Sequence, residues 1–220
     1  MPSPFELGVP RYAENIGTMA GQATKEDREK GIAWYPTAGK IVAVIGDWAG
    51  LPPDRVAAMV AALSPRNPWA WNVQDAAAFA RAIADGGEMP SATTFGYNQR
   101  LAWELGSGRS DWRGAATKVR SFVANIMGDV EVVTIDVWAA RVCTAGEYHG
   151  ETIGPGKYRA MSDAYKLVAP DAGLTPRDLQ AVTWVTAERI GLGSKRRGRG
   201  HSNTFKRGTF PIVLTLLGGG

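Results

Sequence analysis

The chain has 220 residues, of which 45% are hydrophobic and 21% are charged, and its formal net charge is +4. This size and composition are those of a globular protein with a sizeable core, and they exclude wholesale disorder. The longest uncharged apolar runs are far shorter than the roughly 20 residues that span a bilayer, so we expect no membrane partner.

Side chains that bind metals or form disulfides are scarce. Cys143 is the single cysteine, and His149 and His201 are the two histidines. One cysteine forms no intramolecular disulfide and no four-cysteine zinc or iron–sulfur site, and two histidines are too few for a usual His-based metal site. The N-terminus has neither a basic nor an apolar secretion segment. We therefore expect no metal and no cofactor, in a protein of a reducing cytoplasm.

Helix signals begin near residue 24. Thr24 and Asp27 have the spacing of a capping pair before a helix over 28–34. Pro36 lacks a backbone N–H and is expected to break that helix. The apolar residues of 40–48 then predict a further helix.

The same signals continue along the chain. Asp54 precedes 55–63, where apolar residues recur at helical spacing and predict a buried stripe. Asn72 is expected to cap a helix over 74–84. In the stretch 175–190, a threonine cap, a proline and an acidic residue are typical of a helix start.

Strand signals are weak. The most strand-like run, 131–135, is short and leads directly into a further helix. We therefore predict a mainly α chain of nine or ten helices, with its site in a groove between helices.

Basic residues concentrate in the segment 194–210, which carries six cations and no acid. These cations are Lys195, Arg196, Arg197, Arg199, Lys206 and Arg207. Glycine and small polar residues lie between them, so the segment is predicted to contact nucleic-acid phosphates, the first four cations foremost. A solubilising tail is the alternative. The predicted organisation is a helical domain over 1–193 followed by a basic, Gly-rich segment and short apolar tail over 194–220.

A lysine and an aspartate open two successive helices. Lys118 lies in the first turn of one predicted helix, and Asp136, eighteen residues later, opens the next. This order brings an amine and a carboxylate to one cleft, where C1′ of a nucleoside could be attacked. A surface lysine and a plain N-cap are the alternatives for the two residues.

The motifs that carry this pair, Thr-Lys-Val at 117–119 and Val-Thr-Ile-Asp-Val-Trp at 133–138, resemble the helix-hairpin-helix DNA glycosylase superfamily. The resemblance covers about residues 53–190 at the level of order and spacing. It implies a two-lobed helical bundle with an interlobe cleft, a catalytic pair of Lys118 and Asp136, and double-stranded DNA as partner. The DNA contacts that it implies are Gly114, Ala116 and Thr117 in the hairpin, and Arg66 and Asn67 in a turn that the superfamily inserts into the duplex gap.

Candidates for a base pocket are aromatic and amide side chains: Trp69, Trp71, Tyr97, Asn98 and Trp138. Aromatic rings can stack on an extruded base, and an amide can read its edge. Packing of a loop onto the core, or the start of a surface helix, is the alternative for these residues.

The chain also departs from the superfamily pattern. The hairpin usually reads Leu-Pro-Gly-Val-Gly, whereas residues 111–116 read Asp-Trp-Arg-Gly-Ala-Ala. Ala116 stands in place of the second glycine, which would restrict backbone approach if that position requires a positive φ. The chain is similar as well to a phage-encoded branch, some of whose members hypermodify thymine-derived bases in the host cytoplasm.

The resemblance implies a monomeric DNA base-processing enzyme that flips a base into an interhelical cleft and acts at its N-glycosidic bond. One alternative is a base-hypermodification transferase, of the amino-acid:DNA transferase or thymine-pyrophosphorylase-like kind, with a small amino-group co-substrate. Another is a DNA-binding module without catalysis.

Overall fold

The computed structural model describes residues 8–150 and 152–192, and its secondary structure there is helical. The α-helices of this part of the chain are α1 Val9–Gly21, α2 Lys25–Ala49, α3 Pro53–Leu63, α4 Trp69–Ala84, α5 Gly96–Gly106, α6 Thr117–Ile126, α7 Val137–Cys143, α8 Pro155–Val168 and α9 Pro176–Ile190. A short 3-10 helix, Trp112–Gly114, precedes α6. The prediction of a mainly α fold is confirmed. No helix in these two ranges is long and apolar enough to cross a lipid bilayer.

The described chain divides into two compact units. The first comprises residues 8–39 and 115–192, and the second comprises residues 40–114. Helix α2 continues through residue 40 and so contributes to both units. The predicted boundary at 193/194 lies outside the described residues.

The core of the first unit forms where α1, α7, α8 and α9 pack together. Tyr12, Ile16 and Met19 recur along one face of α1 and are all buried. They meet Ile135 and Tyr165, together with further apolar side chains from the same elements. Burial of each large apolar side chain contributes about 1.5–3 kcal/mol, so this cluster holds the four helices in fixed positions.

The core of the second unit is built around α3. Every residue from Val56 to Leu63 is buried, and the helix packs against α4 and α5. Gly106 at the end of α5 makes this packing possible, because a Cβ there would collide with the side chain of Met59. The contact between α3 and α5 therefore favours glycine at this position.

Two predicted helix caps are confirmed. At the start of α2, the backbone N–H of Thr24 donates to Asp27 Oδ2 over 3.0 Å, and the N–H of Asp27 donates to Thr24 Oγ1 over 3.1 Å. At the start of α9, Thr175 Oγ1 accepts from the N–H of Asp178 over 3.2 Å. These bonds satisfy donors that the first helical turn leaves without intrahelical partners.

Two local predictions are wrong. Pro36 does not end a helix, because α2 runs through it from Lys25 to Ala49. Tyr35 and Ala38 are buried on either side of the exposed proline, so packing holds the helix together where one hydrogen bond is missing. Asn72 is not a cap either, because α4 begins at Trp69; its Nδ2 donates to the carbonyl of Val60 over 3.0 Å.

Candidate functional site

Lys118 lies in the first turn of α6 and is half-buried. The residue before the helix is Ala116, which has a φ of −53° and provides no side-chain cap. The backbone at this position therefore needs no glycine, and alanine is accommodated there without strain. The first N–H groups of α6 have no capping side chain, which leaves a positive dipole end beside the lysine.

Asp136 is the N-cap of α7. Its Oδ1 accepts a hydrogen bond from the backbone N–H of Ala139 over 2.8 Å. The cap fixes the orientation of the carboxyl group relative to the helix. The interpretation of Asp136 as a helix cap is thus correct. Its position also brings it to a pocket.

Lys118 and Asp136 both line one pocket, which has a volume of about 450 Å³ and lies within the first unit. The full lining consists of Ala116, Thr117, Lys118, Ile135, Asp136, Val137, Tyr148, Ile153, Pro155 and Tyr158. The N-terminal ends of α6, α7 and α8 all contribute to it. The pocket therefore combines one carboxylate, one amine, helix N-termini and apolar walls.

Burial raises the pKa of the Asp136 carboxyl group. The residue as a whole is half-buried, but enough protein surrounds the carboxyl group to disfavour its charged form. The positive charge of Lys118 opposes the rise in pKa, as do hydrogen bonds from the backbone N–H groups of Ala139 and Trp138. Lys118 is thus close enough to act on the charge of Asp136.

The charge of Asp136 also raises the pKa of two buried tyrosines. Burial, and then the negative charge of Asp136, raise the pKa of Tyr158. Burial raises the pKa of Tyr35 strongly, and Asp136 adds to that rise. Both phenols therefore remain neutral at physiological pH, and Tyr158 presents its ring to the pocket. In the described part of the chain, no group of three or more His, Cys, Asp or Glu side chains is placed to hold a metal ion.

Comparison with known proteins gives a family for the chain. A model described as a family of unknown function (DUF7178) matches residues 5–190. The chain belongs to this family. No curated protein and no solved structure matches the chain. The DUF7178 match includes Lys118 and Asp136, and it stops before the basic segment 194–210.

The turn predicted to enter a DNA duplex lies in the second unit. Arg66 is exposed, adopts a positive φ of 55°, and places its guanidinium carbon 5.2 Å from the centre of the Phe95 ring. Asn67 donates from Nδ2 to Asp75 Oδ2 over 2.8 Å, so its amide fixes the turn. Gly114 ends the short helix before α6. The predicted phosphate contacts Lys195, Arg196, Arg197 and Arg199 lie outside the described residues.

None of the five residues proposed for a base pocket lines the pocket that contains Lys118 and Asp136. Trp69, Trp71, Tyr97 and Asn98 belong to the second unit, where Trp71 is 52% and Tyr97 67% exposed. The Asn98 amide donates to the carbonyl of Ala62 over 2.9 Å. Trp138 belongs to the first unit but is covered by Arg141, whose guanidinium carbon lies 4.9 Å from the ring centre.

Sequence reasoning missed four further residues that line the pocket. They are Tyr148, Ile153, Pro155 and Tyr158, in the loop before α8 and in the first turns of that helix. Proline at the first position of α8 is a usual helix-start signal. Because only long-range packing brings α8 beside Asp136, that signal alone could not place these residues at the site.

Proposed function

We propose that this pocket processes a base of DNA at its N-glycosidic bond. The observation that carries the proposal is the presence of Lys118 and Asp136 in one pocket, close enough for the charge of the lysine to act on the carboxyl group. The pocket volume of about 450 Å³ falls in the range of small-molecule sites. Its apolar and tyrosine walls suit a flat heterocycle, and its uncapped helix start at α6 suits a phosphate group.

The chemistry assigned to the pair follows from these side chains. Extrusion of the target nucleotide costs a few kcal/mol. The ionised carboxylate of Asp136 stabilises the positive charge that develops on the sugar. The ammonium group of Lys118 first gives up one proton; Nζ then attacks C1′, and a C1′–Nζ bond forms as the bond to the base breaks. The base leaves with the bonding electron pair and takes up a proton, Nζ gives up a proton, and opening of the sugar ring yields a Schiff base.

The pH dependence of this reaction has a defined sign. Asp136 acts in its ionised form, and burial raises its pKa above the ordinary 3.8. The contribution of Asp136 to turnover is therefore expected to rise as the pH rises through this elevated pKa, and to level off above it.

A second candidate is a base-modifying transferase that uses the same pocket and leaves the N-glycosidic bond intact. The start of α8 favours it: Gly154 at the N-cap provides no side-chain cap, so a second helix dipole reaches the pocket without an acidic partner. Two positive helix ends and Lys118 would suit an anionic group on a small co-substrate, such as the carboxylate of an amino acid.

The test is incubation of the full chain with duplexes that contain uracil, 5-hydroxymethyluracil, thymine glycol or 8-oxoguanine. Release of the base supports the first candidate, and a mass gain on the DNA in the presence of a co-substrate supports the second. Borohydride should trap the wild-type enzyme on cleaved DNA, whereas Lys118→Met should not be trapped. Lys166→Met, at an exposed position on α8, is the matched control. DNA binding without any change in the DNA would refute both candidates.

A further inference from the structure

The segment 129–135 connects α6 to Asp136 and is neither helix nor strand. Backbone groups in such a segment need partners when they are buried, because an unpaired N–H or C=O group is costly. Val133 and Ile135 are each 1% exposed, so the end of the segment nearest to the pocket is fully enclosed. Two buried side chains from neighbouring helices provide the missing partners.

Asn125, near the end of α6, binds one part of the segment. Its Nδ2 donates to the carbonyl of Asp129 over 2.9 Å and to the carbonyl of Val132 over 2.7 Å. Its Oδ1 accepts from Thr134 Oγ1 over 2.7 Å. Since both carbonyls can only accept, they fix the orientation of the amide. The side chain is completely buried, so these three bonds are protected from competition with water.

Tyr158, in the first turns of α8, binds the backbone of Val133 and Ile135, the residues on either side of Thr134. Its hydroxyl accepts from the backbone N–H of Ile135 over 3.0 Å and donates to the carbonyl of Val133 over 3.2 Å. The ring of the same residue lines the pocket. One side chain therefore shapes the pocket and holds the backbone that carries the carboxylate.

We propose that Asn125 and Tyr158 are positioning residues that hold segment 129–135 and thereby set the placement of Asp136 in the pocket that it shares with Lys118. Asn125 lies seven residues after Lys118 on α6, about two helical turns. One helix therefore carries both the amine and the amide that binds segment 129–135. The proposal deepens the proposed function and rests on it, since it assigns a purpose to the fixed geometry of the pair.

Tyr158→Phe tests the proposal, because it keeps the ring and removes the hydroxyl. The matched control is Tyr165→Phe on the same helix: this tyrosine is fully buried, and its hydroxyl bonds to Thr183 Oγ1 over 3.2 Å instead of to segment 129–135. Both variants should melt a few degrees below the wild type, since Tyr158→Phe loses the two hydrogen bonds to segment 129–135 and Tyr165→Phe loses the one to Thr183. If Tyr158→Phe does not fold, Thr134→Val takes its place in the experiment. This variant removes the hydrogen bond from Thr134 Oγ1 to Asn125.

The decisive readout is carbon-13 NMR titration of the Asp136 carboxyl group, which needs no DNA. The ionisable groups that interact with this carboxyl group are Lys118 on α6, Tyr35 on α2, Tyr158 and Tyr165 on α8, and Glu188 on α9. Lys118→Met should raise the pKa of Asp136, because the opposing positive charge is removed. In the Tyr158→Phe background we expect that rise to fall by at least about half, and in the Tyr165→Phe background to persist.

If Lys118→Met raises the pKa of Asp136 equally in the wild type, Tyr158→Phe and Tyr165→Phe, the positioning role is overturned, even if the enzyme releases bases. Loss of the rise in Tyr158→Phe together with no reaction on any duplex would support the positioning role and count against the proposed function. On an active substrate, Tyr158→Phe should lower kcat roughly tenfold or more, with KM within about twofold of wild type. An unchanged kcat would also refute the proposal.

Discussion

Replacing Asp136 with asparagine, and separately with alanine, distinguishes the capping role of this side chain from the role of its charge. The carboxylate oxygen that accepts from the N–H of Ala139 over 2.8 Å has an equivalent in the asparagine amide oxygen. Asparagine and aspartate cap helices about equally well, whereas alanine does not cap. Asp136→Asn therefore removes the charge and keeps the cap, and Asp136→Ala removes both.

The stability changes can be worked from the structure. Loss of the cap in Asp136→Ala should cost about 1 kcal/mol, or about 2–4 °C in Tm for a chain of this size. Burial raises the folded-state pKa of Asp136 above its ordinary 3.8. In the pH interval between 3.8 and the raised pKa, the Asp136 carboxyl group is ionised in the unfolded chain and protonated in the folded chain. Wild-type stability should therefore fall, relative to Asp136→Asn, as the pH rises through this interval, by about 1.4 kcal/mol per pKa unit.

Urea denaturation of the three proteins at pH values from about 4 to 8 measures these differences. We expect Asp136→Asn to be at least as stable as the wild type at pH 7, and to lose DNA turnover while keeping DNA binding within a few-fold. If Asp136→Asn is as destabilised as Asp136→Ala, the side chain contributes through its charge to the fold, and the reasoning is refuted. It is refuted as well if the wild type gains stability over Asp136→Asn as the pH rises.

Three further predictions concern the rest of the chain. The pKa of Asp27 is lowered chiefly by the hydrogen bond from Arg189. The wild type should therefore lose stability relative to Asp27→Asn as the pH falls from the ordinary 3.8 through the lowered pKa, and acid denaturation of the two proteins measures this loss. Gly31→Ala should destabilise by about 3 kcal/mol in urea denaturation, because its Cβ would lie 2.6 Å from backbone atoms of α9, whereas Gly17→Ala, with nothing within 4 Å, should be neutral or stabilise by up to about 1 kcal/mol. Deletion of 194–210 should weaken binding to all DNA sequences and flatten its salt dependence, and an unchanged salt slope would favour a solubilising tail.

The helix starts of the candidate site were predictable because their signals are local. Lys118 and Asp136 each lie at the beginning of an apolar helical pattern, and a cap depends on residues three positions apart. The order of helices along the chain then suggested that the two side chains share a cleft. The pocket is in agreement with that expectation at the level of the two residues, whereas its function stays a proposal.

Tertiary packing decided the features that local signals missed. Pro36 is a helix breaker by local rules, but the buried residues on both sides of it keep α2 continuous. The strand-like run 131–135 forms no strand, and its backbone bonds to the side chains of Asn125 and Tyr158. Neither side chain had a signal in the sequence that distinguishes it from an ordinary helical residue.

The cap at α7 differs from two other helix caps of the first unit in that Asp136 carries an ionisable group. In the same unit, Thr24 and Thr175 cap α2 and α9 through neutral hydroxyl groups. A neutral cap at position 136 would satisfy Ala139 equally and would avoid the electrostatic cost that burial imposes on a carboxylate. Capping alone does not explain a charge there. The reaction proposed for the adjoining pocket would account for it, because a carboxylate kept partly out of water stabilises a developing positive charge more strongly than one in solvent.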